Sequence, residues 1–291
     1  MSWDLVVNVV IAGMLTGMVY GLMALGLSVI FGVVRVVNFA HGEMMTIAMY
    51  ASVVLFAAMR LDPFLAVLPV AAAFFALGYA LQAGLINPFI TRPEHSQFML
   101  LVAVAIIMVN ALLMIFGPDA RNVQTDYQLE SFELGRLLFD KARLYAAGLA
   151  LAAAAALFAF FRFTLTGKAI RACADNHLGA LVVGLNVKHL YALTFGVGSA
   201  CVAVAGCMMV LLVDVTPSLG PAYTLLAFVI VIVGGLGSMS GAIVGGVLIG
   251  VSEAMAGLFI TPSAKSMVSF GLLILVLLLR PQGLLGRKSQ E

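Results

Sequence analysis

Long charge-free apolar runs alternate along the chain with short polar breaks. The runs cover 6–31, 43–59, 64–87, 98–117, 143–161, 189–213, 222–236, 242–260 and 266–280. Most approach the ~20 apolar residues that a helix needs to cross a hydrocarbon core. Two short runs flank broken stretches, so the pattern predicts about eight or nine spans. Within each run Leu, Val, Ala and Ile follow one another without alternation. A membrane β-barrel would show segments of about ten residues that alternate in polarity. Backbone groups in lipid must be bonded within their own segment, which makes these runs helices. The expected fold is an all-α, polytopic bundle, a single transmembrane domain over residues 1–291. No charge falls between Leu5 and Val34. That run exceeds the ~7–15-residue core of a cleaved signal, so it reads as a retained first span.

Composition agrees with the pattern. The chain is 63% hydrophobic and 10% charged, where a soluble protein carries roughly 25% charged residues. Such a surface needs the lipid bilayer as its solvent. A net charge of +2 is too small for a nucleic-acid partner. Cys173, Cys201 and Cys207 form no C-x-x-C pair, and the two within an apolar run read as packing residues. Arg162, Lys168, Arg171 and Lys188 cluster in one connection, Arg92 in another, and Arg280, Arg287 and Lys288 in the tail. An excess of Lys and Arg marks cytoplasmic loops. The 118–142 connection then faces outside; it mixes Asp119, Asp126, Glu130, Glu133 and Asp140 with Arg121, Arg136 and Lys141.

The breaks carry the candidate chemistry. Gly13, Gly17 and Gly21 recur every fourth residue, as do Gly237, Gly241 and Gly245, with Gly246 and Gly250 beside them. Small residues at this spacing let helix backbones approach closely, either around a path or as plain packing. The stretch 20–54 is interrupted at Asn38-Phe39-Ala40-His41-Gly42-Glu43, and 223–258 at Gly234–Gly241. Paired interruptions point to an internal repeat and a transport path at its interface. Asn38 is placed to cap the following helix, with Glu43 in its first turn. The same motif reads equally as a well-made helix start or as a broken helix bordering an aqueous path. The candidate path residues are Asn38, His41, Glu43, Gly237, Ser238 and Glu253. Asp214, near Pro217, is expected at the outer surface.

Residues 166–188 form a second, different break. Lys168, Ala169, Arg171, Ala172, Cys173, Ala174, Asp175, Asn176, Leu178, Ala180, Leu181, Gly184, Leu185 and Asn186 make it rich in small residues. Ile170, Leu178, Leu181 and Leu185 give an apolar edge at near-helical spacing. Gly184 is placed to end that helix. A lipid anchor would show larger apolar residues and more Lys; small residues fit docking into a groove on a protein. His177 and His189 lack metal-ligand spacing. Thr166-Gly167-Lys168-Ala169 lacks the leading Gly and the hydroxyl of a nucleotide-binding loop, and no hydrolase or zinc motif occurs. The chain is not expected to be an enzyme, and any nucleotide energy must come from another chain.

Over nearly its whole length the sequence resembles the permease subunits of ATP-binding-cassette importers for branched-chain amino acids, the LivH type. The resemblance rests on Tyr20–Leu27, Val37–Met44, Arg171–Asn186, Gly234–Ser238 with Gly241, and the closing Arg280–Gly286. It implies a multi-pass protein of the bacterial inner membrane. It implies a second, LivM-type permease or an identical copy as partner, two cytoplasmic ATPases that bind ATP and Mg, and an extracytoplasmic solute-binding protein. The 168–186 segment then looks like the element that docks on an ATPase, with Asp175 near the family's acidic position and the Gly spacing different. The family also serves urea, short amides and aromatic or carboxylated solutes. Two rivals stand beside this: a proton-coupled transporter using His41, Glu43 or Glu253, and a non-transporting scaffold.

Overall fold

The computed structural model describes residues 3–90, 92–128, 130–134, 137–261 and 264–286. Arg136, Arg287 and Lys288, which entered the charge argument, lie outside the described residues. Helix α1 (Trp3–Val34) leads into an irregular stretch, 35–40. Helices α2 (His41–Met59) and α3 (Pro63–Leu81) follow, and α3 runs on through a wider turn at Gln82–Ile86. After α4 (Glu94–Phe116) comes a small hairpin, β1 (Ser131–Leu134) paired with β2 (Leu137–Asp140), with Phe132 opposite Phe139. Helix α5 (Lys141–Phe163) is followed by two short helices, α6 (Leu165–Asp175) and α7 (His177–Val182). The chain closes with α8 (Val187–Met209), α9 (Gly220–Gly234), α10 (Met239–Phe259) and α11 (Lys265–Leu279). Among the described residues eight helices are long and apolar enough to cross a membrane; α11, with 15 residues, is shorter. All nine expected runs are helical.

The order of these helices hides a symmetry. Helix α1 packs most extensively on α10, and α3 on α8. Exchanging α1–α3 with α8–α10 turns one of these pairs into the other. The two triplets run in opposite directions across the bundle, because four crossings, α2 to α5, lie between α1 and α8. This is an inverted repeat of the kind common in transporters. It also corrects the expected pairing of breaks. The counterpart of 35–40 is the stretch before α9, 210–219, whereas Gly234–Gly241 is a tight turn joining α9 to α10.

The glycine stripes explain the closest contact. A Cβ on Gly17 would stand 2.7 Å from the Gly246 carbonyl and the Val247 Cα; one on Gly13 would stand 2.8 Å from the Gly250 carbonyl. The α1 stripe therefore faces Gly246 and Gly250 of α10, whereas Gly241 and Gly245 approach Gly234 and the Ile230 carbonyl of α9. Helix–helix association in lipid gains little from the hydrophobic effect, so backbone proximity and dispersion must supply it. Helix α8 completes the centre and is buried over most of its length.

Charge sorts the two faces. Arg35, Arg92, Arg162, Lys168, Arg171, Lys188 and Arg280 lie in connections, short helices or helix ends on the face where α1 ends, with Asp175. The other face carries Asp4, Asp62, Asp119, Asp126, Glu130, Asp140 and Asp214 alongside Arg60, Arg121, Lys141, Arg143 and Lys265. The basic face is the inner one by the positive-inside rule. Connections on the outer face are tied together. Arg121 and Val215 exchange backbone hydrogen bonds, the Tyr127 hydroxyl donates to Asp62, and the Leu138 amide donates to Asn8. Asp214 is exposed on this face, as expected.

Candidate functional site

The stretch 35–40 turns back into the bundle. The His41 Nε2 lies 2.9 Å from the carbonyl oxygen of Met23, a residue well inside α1. Met23 precedes the end of α1 by about 11 residues, or roughly 16 Å at the helical rise. Helix α2 therefore starts deep in the membrane-spanning bundle, not at its surface. Helix α9 starts against it. A Cβ on Gly42 would overlap the Gly220 carbonyl and the Thr224 amide, and one on Gly220 would stand 3.0 Å from the Glu43 Cα. Two helix N-termini thus abut at depth, where glycine alone permits the approach.

Thr224 ties the polar groups of Gly42 and Glu43 together at this junction. The Thr224 hydroxyl accepts from the Gly42 amide at 2.8 Å and donates to the Glu43 carboxylate at 2.9 Å. A single hydroxyl proton serves one acceptor, so the Phe39 carbonyl at 3.3 Å is its longer alternative. Asn38 does not cap α2. Ala40 holds the cap position, and the Asn38 Oδ1 accepts from the Ala40 amide at 3.1 Å, closing the turn before the helix. Glu43 does lie in the first turn, where two positive helix ends favour a carboxylate. Asn38, His41 and Glu43 are all buried.

An open cavity of about 1600 Å³ lies on the inner side of this junction. Its walls include Phe39 from the returning stretch, Phe98 of α4, Phe161 of α5, and Gly237 and Ser238 of the α9–α10 turn. Arg35, Lys168, Arg171 and Asp175 line its mouth. Of the expected path residues, the structure brings Gly237 and Ser238 to this cavity. Asn38, His41 and Glu43 sit beneath its floor. Glu253 is elsewhere: it accepts from the Ser269 hydroxyl at 2.8 Å and bonds Tyr20, joining α10 to α11 and α1. Sequence reading missed Phe39 as a lining residue, although it named the motif that holds it. A lone Phe among apolar residues carries no signal of its own.

The 166–188 segment is a chain of capped helices. Thr164 caps α6 through the Gly167 amide, Asn176 caps α7 through Gly179, and Asn186 caps α8 through His189, at 2.9, 2.9 and 3.1 Å. The turn at Asn176 makes two helices where the sequence pattern reads one. The expected apolar edge is therefore divided. Ile170 is buried on the bundle, Leu185 is half-buried, and Leu178 and Leu181 are 63% and 53% exposed. Cys173 and Ala180 are buried and hold the segment down, Ala169 and Ala174 are half-buried, and Lys168, Arg171, Ala172, Asp175, Asn176, Gly184 and Asn186 are exposed. Gly184 takes a positive φ of 83° and ends the turn after α7, as expected. Val182 and Val183, which the spacing argument passed over, are 87% and 74% exposed. With Leu178 and Leu181 they form an apolar knob on the basic face. Burial raises the Cys173 thiol above its ordinary range.

Inverted repeats, abutting half-depth helix starts and a one-sided cavity define a polytopic helical transport protein. The sequence matches the family described as branched-chain amino acid transport system / permease component over residues 9–277. It is 31% identical over 298 residues to the high-affinity branched-chain amino acid transport system permease protein LivH of Salmonella typhimurium, covering 96% of this chain and 95% of that protein. It is 30% identical over 292 residues to the corresponding permease protein BraD of Pseudomonas aeruginosa, with the same coverage. A probable LivH of Methanocaldococcus jannaschii is 24% identical over 277 residues, 91% of this chain and 88% of that one. The chain belongs to this permease family, as a multi-pass membrane protein and a transport component.

Proposed function

We propose that the chain is a membrane-spanning subunit of an ATP-driven importer for branched-chain amino acids in the bacterial inner membrane. A solute-binding protein delivers the amino acid to the outer face. Two cytoplasmic ATPases bind and hydrolyse ATP with Mg, and a second permease, LivM-type or identical, completes the pore. The observation that carries this reading is the α6–α7 segment. Its apolar knob stands on the basic face beside the mouth of the cavity, so an ATPase seated on the knob would move the wall of that cavity through Lys168, Arg171 and Asp175. The chain supplies the path and the lever. The Gly-rich junction of α2 and α9 and the α1–α10 stripe supply surfaces that slide without side-chain clash.

The test is a reconstituted importer carrying Leu178→Asp with Val182→Asp. Both side chains face solvent, so insertion and folding of the permease should persist. A charge at the centre of an apolar contact typically costs more than about 2 kcal/mol. ATPase association and solute-stimulated hydrolysis should therefore fall by at least about tenfold. Unchanged coupling in the double variant would remove the docking assignment. Uptake driven by a pH gradient without any ATPase would replace the whole reading with a proton-coupled one. Binding of leucine, isoleucine and valine by the partner binding protein, against urea, short amides and aromatic acids, fixes the solute.

A further inference from the structure

Phe39 lines the cavity, whereas Glu43 and Thr224 of the deep polar junction do not. Phe39 stands between cavity and junction, on the stretch that turns back into the bundle. Its ring meets Phe98 of α4 edge-on at 4.6 Å and Phe228 of α9 at 5.2 Å. Phe39 and Phe98 line the cavity. Directly beneath, the Phe39 carbonyl lies 3.3 Å from the Thr224 hydroxyl, which holds Glu43. One residue thus faces the cavity with its ring and the polar junction with its backbone.

We propose that Phe39, clamped between Phe98 and Phe228, is the inner gate of the translocation path, closing the cavity floor over the Glu43–Thr224 centre. Three elements meet at this ring, two from opposite triplets of the repeat and one from outside both. Phe39 precedes α2, Phe228 lies on α9, and Phe98 lies on α4 outside both triplets. A rotation of one repeat against the other separates the rings without breaking any covalent constraint. Aromatic closure suits this role because an apolar constriction excludes water and solute until it widens. Ring contacts of this kind contribute about 0.5–1.5 kcal/mol each beyond their area, small enough to be reversed in every cycle. Once open, the gate exposes a carboxylate and a hydroxyl to a zwitterionic solute at mid-path.

The inference rests on the reading of the cavity as the cytoplasmic vestibule, and the experiment separates the two. Full-length chain in inside-out membrane vesicles, assembled with its partners, is labelled with a membrane-impermeant maleimide. Ser240→Cys, on the exposed cavity wall, reports the vestibule; Thr224→Cys reports the far side of the gate. Ser240→Cys should label rapidly in every background. Thr224→Cys should resist labelling with Phe39 present, and label at least about tenfold faster with Phe39→Ala or Phe228→Ala. Phe39→Leu, which keeps apolar bulk, should restore most of the protection. In proteoliposomes Phe39→Ala should also leak leucine down its gradient without ATP. Rapid labelling of Thr224→Cys beneath an intact Phe39 overturns the gate. So does protection that survives both alanine variants while Ser240→Cys still labels. Failure of Ser240→Cys to label from this side overturns the vestibule reading itself, and the gate with it.

Discussion

His41 shows how a single side chain sets the depth of the site. Its Nε2 lies against a backbone carbonyl, which can only accept, so Nε2 carries the proton. The other ring nitrogen, Nδ1, is buried without a hydrogen-bond partner among the described residues. The ring therefore acts as a peg, joining the start of α2 to the middle of α1. His41→Gln keeps a donor and should retain most of the stability, whereas His41→Leu should lose about 1 kcal/mol. Thermal unfolding of the purified chain in detergent measures the difference; equal loss in both variants would refute the peg. Glycine acts at the same scale. Gly17→Leu pushes a side chain into the Gly246 backbone and should cost about 1–3 kcal/mol by overpacking, read in the same assay. Cysteine reactivity follows from burial as well. The Cys173 thiol is raised, so its thiolate fraction at pH 7–8 is lower than that of a free cysteine. Its maleimide labelling should be slower than that of the exposed Ser240→Cys and should speed up toward higher pH. A Cys173 that labels as fast as Ser240→Cys would contradict the buried face of α6.

Elements explain what the sequence does and does not disclose. The spans were legible because lipid forces long unbroken apolar runs, and all nine appear as helices near their expected bounds. The α6–α7 segment was legible as a docking candidate from its small residues and its position between two spans. Its division at Asn176 was not, although Asn is a helix-capping residue, because helical spacing of Ile170 with Leu178, Leu181 and Leu185 continues across the break. The turn reverses which of these face the bundle. The depth of Asn38–Glu43 was illegible for a different reason: a returning stretch and a surface loop have the same composition, and only the contact of His41 with Met23 tells them apart. At this scale Asn176→Ala is informative. Loss of one cap typically costs about 1 kcal/mol, borne by a six-residue helix. The variant should leave global unfolding nearly unchanged yet lower the transport achieved per ATP hydrolysed. An unaltered coupling ratio would mean that α7 does not need its shape to transmit motion.

At the scale of the molecule the inverted repeat and the charge asymmetry constrain each other. A repeat that is turned over in the membrane presents equivalent connections to opposite faces. The basic residues nevertheless gather on one of them: Arg35 and Arg162 to Lys188 on the inner face, with Asp119, Asp126 and Asp214 on the outer. The fold is close to symmetric, while the charges that orient it are not. The 35–40 stretch enters from the basic face and the 210–219 stretch from the acidic one, and they meet where Gly42 touches Gly220. Two approaches from opposite sides to one junction are what alternating access requires. An impermeant maleimide should therefore reach Ser218→Cys, on the approach to α9, only from outside, and Ser240→Cys only from inside. Trapping the assembled importer with a non-hydrolysable ATP analogue should slow labelling of Ser240→Cys and speed that of Ser218→Cys, because one rotation closes the first approach as it opens the second. Rates that rise or fall together would show that the two halves do not exchange roles, leaving the symmetry as a feature of the fold alone.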